Sequence, residues 1–351
     1  MASRDCCAGA IVIGGSTAGL IVAGVLARSG FSVVLIDKAF GAKPQWEHVH
    51  LLNSQSWEDL CDSIPGFEEE LKAQGAACGS QVLLKPDGLC TEDTRPRPSR
   101  RCIDLALLRT LPDSVKQVSG RVSSLNLDPT GVQVTLYDER RYSAAFVLDA
   151  SGRSRMSLNA VGQIQGCPVD LHQGPASGGY VSTVIKGVNL PQNQIALRGS
   201  YQGTGILLLK EDENCWRLTL QIDTVPTEML ATDSFQELLS ELASPEISEL
   251  FAGASVVGAP FLFGPVRAER VHWNEKKLEG VPWIILGDAL LTTPPWLGWG
   301  VDQIVTHSKL LNQGLLNHAS IDDIRSSIDR SARDTWLQAT MKETLRSFTT
   351  A

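Results

Sequence analysis

The sequence predicts an α/β fold, a Rossmann-like nucleotide-binding lobe interrupted by a β-rich lobe. Three observations carry that prediction. Residues 9–37 read as strand, glycine turn, helix and strand: Ile11-Val12-Ile13, then Gly14-Gly15-Ser16-Thr17-Ala18-Gly19, a helical stripe at Leu20, Val22, Ala23 and Leu26, and a second apolar run ending in Asp37. Between about 161 and 261 the pattern changes. Strand-like runs at Tyr180 to Ile185, Gly205 to Leu209 and Trp216 to Ile222 surround one amphipathic helix near Phe235 to Leu242. The run Trp283-Ile284-Ile285-Leu286 then returns the chain to the first lobe, as a strand of the kind buried in parallel sheets.

A chain of 351 residues is large for one core, so two lobes are expected. The nucleotide-binding lobe is assigned to 1–75, 98–160 and 262–351, and the substrate lobe to 76–97 and 161–261. A net charge of −8 and a pI near 5.3 argue against nucleic acid or an anionic membrane as the main partner. The eight cysteines form no C-x-x-C pair and read as free thiols of a cytoplasmic protein. Residues 6–27 carry no charge, but the run holds five glycines and changes from strand to helix, so no membrane span is expected.

The remaining elements follow from local pattern. Residues 51–75 read as helical and acidic, with Leu51, Leu52, Trp57 and Leu60 on one side. A Pro- and Arg-rich connecting loop is expected over 86–100 and a helix from Ile103 to Leu111. Alternating strands flank the Asp128-Pro129-Thr130-Gly131 turn, and Tyr142 to Leu148 leads into Asp149-Ala150-Ser151-Gly152-Arg153. A helical tail begins near Ile321.

The glycine turn has a direct physical meaning. Gly14, Ser16 and Gly19 hold the three glycine positions of a dinucleotide fingerprint, where the backbone approaches a pyrophosphate at a helix N-terminus. Gly15 and Ala18 complete the turn, and Asp37 ends the second strand where a ribose hydroxyl is held. This fingerprint alone suits NAD and FAD equally. Asp149 alone suits an ordinary strand-to-turn aspartate just as well.

Together with the late Gly287-Asp288-Ala289 and Pro295-x-x-Gly298-x-Gly300, these motifs resemble, in order and spacing, the FAD-binding ladder of group A flavoprotein monooxygenases. The resemblance is to the para-hydroxybenzoate hydroxylase-like family and its FAD epoxidase-like branch, and it spans residues from about 9 to 310. It implies non-covalent FAD, reduced by NAD(P)H or a separate reductase. Asp149 and Gly152 would shape the pyrophosphate region, and Asp288 would accept from a ribityl hydroxyl. The helix opening at Pro295, Gly298 and Gly300 would turn its N–H groups toward the flavin. Arg100 or Arg101 would match a family arginine near the flavin phosphates or ring. The segment around His48 and His50 would pass beside the ring. No C-x-x-C or H-E-x-x-H completes a metal site with these histidines, and no metal is expected. Trp296 and Trp299 would wall the substrate pocket.

The activity implied is FAD-dependent monooxygenation, hydroxylating or epoxidising an electron-rich aromatic or olefinic group. The substrate is either a small molecule or a protein, because the inserted lobe is small. The flavoprotein maturases that oxidise a protein tryptophan for a quinone cofactor also look like this family. Two alternatives remain: a flavin-dependent halogenase, although the tryptophan-halogenase W-x-W-x-I-P motif is absent, and a non-catalytic binding protein on the same scaffold.

Overall fold

Strand β1 (Cys7–Ile13) runs through the glycine turn into helix α1 (Thr17–Arg28), and β2 (Val33–Asp37) returns parallel to β1 in the computed structural model. The structure describes residues 7–41, 46, 52–85, 88–164, 167–176, 178–191, 193–201, 204–211, 214–222, 236–237, 249–264 and 266–349. Thr17 to Leu26 are all buried, so α1 is covered on every side rather than amphipathic. The acidic segment after it divides into α2 (Ser54–Ser63) and α3 (Phe67–Ala73). Pro65 holds Ile64 extended, and Gly66 turns left-handed at φ 80°, which breaks what the sequence suggested was one helical stretch.

The loop expected over 86–100 is corrected by the structure. Residues before Ser99 form a hairpin of β3 (Cys78–Lys85) and β4 (Gly88–Pro96), paired antiparallel. Helix α4 (Arg100–Arg109) starts three residues earlier than expected, because the Ser99 hydroxyl accepts from the Cys102 N–H and caps it. Strands β5 (Val115–Ser119), β6 (Val122–Asp128), β7 (Gly131–Leu136) and β8 (Arg141–Asp149) follow, then the short helix α5 (Leu158–Gln163).

The chain continues through β9 (Val169–Ala176), β10 (Gly179–Lys186), β11 (Gln194–Tyr201), β12 (Thr204–Lys210) and β13 (Cys215–Ile222). The helix expected near Phe235 to Leu242 lies outside the described residues except at 236–237. After β14 (Ser255–Val256), β15 (Phe261–Phe263) and β16 (Arg267–Trp273) come β17 (Trp283–Ile285) and β18 (Leu291–Thr292). Helices α6 (Trp299–Leu316) and α7 (Ile321–Thr349) close the described chain.

These strands form three sheets among the described residues. The seven-stranded sheet runs β5-β2-β1-β8-β7-β6, with β17 also on β8. Its β5, β2, β1, β8 and β17 are parallel, and the β6–β7–β8 meander is antiparallel. The eight-stranded sheet runs β14-β10-β13-β12-β11-β3-β4 with β15 on β10, so the 78–96 hairpin joins the strands of 179–263. Strand β9 instead pairs with β16 in a three-stranded sheet with β18, away from the strands that follow it in sequence. The parallel sheet and its helices bury one large core, which includes Ile11, Val34, Leu148 and Trp283. One face of the second sheet buries a separate core with Val181, Leu218, Leu250 and Phe251.

Candidate functional site

Strand register brings the three distant motifs to one edge. Ile13 and Ile285 both pair with Asp149, so Gly14, Ala150 and Leu286 leave the sheet side by side at the carboxyl ends of parallel strands. Ala150 N–H donates to the Ile13 carbonyl at 2.8 Å, and Leu286 N–H to the Asp149 carbonyl at 3.1 Å. In open parallel sheets this edge is where ligands bind. A cleft of about 640 Å³ opens there, within the range of small-molecule and cofactor sites.

The glycine turn has no room for side chains. A Cβ on Gly14, which sits at φ 106°, would lie 2.3 Å from the Ala150 carbonyl oxygen. On Gly15 it would lie 2.6 Å from the Phe40 ring. Beneath the turn, Asp104 is a buried hub. Its carboxylate accepts from the Thr17 hydroxyl, from the Trp46 indole N–H at 2.8 Å and from Arg100 Nε at 3.4 Å. The Ser16 hydroxyl stands 3.5 Å from it. Sequence reasoning missed Asp104, whose partners come from three separate segments.

Gly14, Ser16, Ala18, Asp37, Arg100, Gly152 and Asp288 all line the cleft. Asp37 accepts from Gly15 N–H at 2.6 Å and Ala39 N–H at 2.8 Å, and a carboxylate retains acceptor capacity beyond two bonds. The paired arginines lie differently: Arg100 is buried and lines the cleft, whereas Arg101 is exposed. Asp149 does not line the cleft. It is fully buried and accepts from Ser151 N–H, Ser157 N–H and the Ser157 hydroxyl, so it ties the turn to its own strand.

Asp288 is different in kind. Its carboxylate reaches solvent through the cleft yet is enclosed by protein, and it makes no hydrogen bond or close salt bridge among the described residues. Burial raises its pKa above the usual aspartate value, while Arg100, Arg153 and Arg155 pull it down. Behind it, His307 on α6 is completely buried and faces Gly287 N–H through Nδ1 at 3.5 Å. Burial lowers the His307 pKa to about 4, so the imidazole stays neutral. Thr292 and Thr293 also line the cleft, each with a buried hydroxyl that has no hydrogen-bond partner among the described residues.

Charge in the cleft opposes the charge of the chain. Lys38, Arg100, Arg121, Arg153 and Arg267 line it, against Asp37 and Asp288. The far end is apolar, with Leu207, Phe261, Phe263, Val266 and Tyr180.

The remaining expected residues lie elsewhere. His48 and His50 fall outside the described residues. Gly19 packs α1 onto the turn, and Gly298 caps α6 at φ 73°, with Gly300 beside it; none of these three lines the cleft. Pro295 opens the short helical turn Pro295–Leu297 before that cap. The expectation that Trp296 and Trp299 wall the pocket is corrected. Neither lines the cleft, because both pack with Leu297, Ala268 and Ala339 against α7. The Trp296 indole donates to Glu343, and the Lys342 ammonium lies 4.6 Å from the Trp299 ring centroid. No group of metal-ligating side chains occurs among the described residues.

A family model described as Lycopene cyclase protein matches residues 10–175, a little under half of the chain. No curated protein matches the sequence. Among solved structures, the myxobacterial chondrochloren halogenase CndH, a variant of FAD-dependent halogenases, is 18% identical with a TM-score of 0.73 over 93% of this chain and 79% of its own. HpxO of Klebsiella pneumoniae, complexed with FAD and uric acid, is 18% identical with a TM-score of 0.68, covering 95% and 87%. The peptidyl tryptophan dihydroxylase QhpG, essential for tryptophylquinone cofactor biogenesis, is 20% identical with a TM-score of 0.63, covering 97% and 75%. The fold is that of FAD-dependent monooxygenases and halogenases, a Rossmann-type lobe joined to a β-rich one. No helix among the described residues is long and apolar enough to cross a membrane.

Proposed function

We propose that the chain is an FAD-dependent oxidoreductase, a monooxygenase acting on an electron-rich aromatic or olefinic group. One observation carries the reading: Asp288, a carboxylate that makes no hydrogen bond among the described residues, faces a cation-rich cleft that begins at a side-chain-free glycine turn. A dinucleotide with a diphosphate and a polyol matches each of these features. Gly14, Ser16 and the first turn of α1 would hold the diphosphate with Arg100. Asp37 would take the ribose, and Asp288 a ribityl hydroxyl.

Bound flavin would supply oxygen activation, and the protein would supply position, charge and exclusion of water. The apolar residues Leu207, Phe261 and Phe263 suit water exclusion at the far end. Thr292 and Thr293 offer hydroxyls in the cleft, to cofactor or substrate. Electrons would come from NAD(P)H or a separate reductase. The substrate lobe proposed for 76–97 and 161–261 supplies the far wall through β10, β12, β13 and β15, while β9 sits in a different sheet.

Halogenation is the second reading, and the shared fold with CndH favours its test. Reduced flavin, oxygen and a substrate panel are combined with and without bromide. A hydroxylated or epoxidised product independent of bromide supports the monooxygenase, and a brominated product replaces it with the halogenase. Turnover of a peptide indole, with none of small aromatics, would place the substrate on a protein.

A further inference from the structure

Trp296 packs against α7 rather than into the cleft, yet it is held from three separate elements. Its indole Nε1–H donates to Glu343 Oε1 on α7 at 2.5 Å. Its backbone N–H donates to the Tyr180 hydroxyl on β10 at 2.7 Å, and its carbonyl accepts from Arg198 Nη2 on β11 at 3.3 Å. The sheet that carries Tyr180 and Arg198 and the C-terminal helix therefore meet at one residue of the loop before α6.

Glu343 is the unusual member. It is 4% exposed and stands one helical turn after Ala339, which belongs to the apolar cluster of Leu297 and Ala268. The Trp296 indole is its one hydrogen-bond partner among the described residues. A polar group in such a place is costly unless bonded, and out of water the bond that satisfies it is strengthened. Packing alone would be served by leucine. On the cleft side, two lining residues depend on where Trp296 sits. Tyr180 takes its N–H, and Thr293, with its buried hydroxyl, precedes it by three residues. Between them the rings of Pro294 and Pro295 fix φ at about −65°, so a shift of Trp296 is passed towards Thr293 rather than absorbed.

We propose that Glu343 is a positioning residue for the cleft: from α7, and without lining the cleft, it holds Trp296 where the Trp296 N–H fixes the Tyr180 hydroxyl. The C-terminal helix thereby sets part of the cleft's apolar end. Loss of the Glu343 bond frees the indole, displaces the Trp296 N–H and changes the hydrogen bonding of the phenol in the wall. In the proposed oxidoreductase this end takes the substrate, and that consequence rests on the flavin reading. The position of Tyr180 does not rest on it, because the wall is set whichever ligand fills the cleft.

The test is NMR of the full chain carrying the NMR-active carbon isotope at Cζ of its tyrosines. The chain has four tyrosines, so the Tyr180 signal is identified by its loss in Tyr180→Phe. Glu343→Leu keeps the apolar packing and removes the acceptor, whereas Glu343→Gln keeps an acceptor oxygen for the indole. Trp296→Phe breaks the same bond from the other side and serves where Glu343→Leu does not fold. Glu343→Leu and Trp296→Phe should each move the Tyr180 signal further than those of the other three tyrosines. Glu343→Gln should leave it near the wild-type position. A Tyr180 signal that stays in place in either folded variant, that moves no further than the other three, or that moves as far in Glu343→Gln would overturn the proposal. FAD uptake should match wild type in all three variants, since neither residue lines the cleft. Wild-type protein that takes up no FAD would instead overturn the flavin reading and leave the tyrosine spectra interpretable, so the two failures are distinguishable.

Discussion

Trp46 donates its indole N–H to Asp104 across 2.8 Å, tying the chain near residue 46 to the hub beneath the glycine turn. The same carboxylate holds Thr17 at the start of α1 and Nε of the cleft-lining Arg100. Asp104→Ala would leave these donors unpaired in a buried place. Stability should fall by about 2 to 4 kcal/mol, and FAD affinity by about tenfold or more as Arg100 loses its anchor. Asp104→Asn, which keeps the shape, should do less. Thermal denaturation and FAD titration measure both, and a wild-type result in each would detach Asp104 from the site.

The two motif aspartates should separate cleanly. Asp149 is hydrogen-bonded within its own turn, whereas Asp288 makes no hydrogen bond among the described residues. Asp149→Ala should lower the melting temperature with or without flavin. Asp288→Ala should leave the flavin-free protein as stable as wild type and weaken FAD by the worth of a charge-assisted bond, about 1.5 to 3 kcal/mol. Equal FAD affinity in Asp288→Ala and wild type would contradict this assignment.

His307 gives a pH signature. Its folded pKa, about 4, lies below the unfolded value of 6.5. Above pH 6.5 the imidazole is neutral in both states and costs nothing. Between 6.5 and 4 the unfolded chain takes up a proton that the folded chain refuses, so stability falls as pH falls, by on the order of 3 kcal/mol over the window. His307→Gln should flatten this part of the profile relative to wild type. Parallel profiles from denaturant titrations between pH 7 and 4 would show that His307 does not set the slope.

The parallel half of the fold was legible because its signals are local. Glycines mark the turn after β1, and β-branched runs mark buried strands. The β3–β4 hairpin was not legible, since Glu92, Asp93 and Arg95 in β4 look like a polar loop. They belong to a strand at the sheet's edge. Asp288 was readable from the strand and glycine before it. Asp104 was not, because it acts through partners as far as 88 residues away. Arg100 and Arg101 became distinguishable when the Ser99 cap set the phase of α4.

Trp296 and Trp299 should act on the C-terminal helix. With Glu343 and Lys342 as their partners, Trp299→Ala should raise hydrogen exchange in the second half of α7 and leave FAD affinity within about twofold of wild type. A large loss of FAD or of turnover with α7 still protected would return the indole to the substrate pocket.

The flavin itself tests the account most directly. Protein purified without added cofactor, or incubated with FAD, should show an absorption band near about 450 nm. Acid precipitation should release that colour into the supernatant as intact FAD, and Asp288→Ala should retain less of it. A colourless protein that takes up no FAD at high concentration, with the fold intact by circular dichroism, would contradict the account.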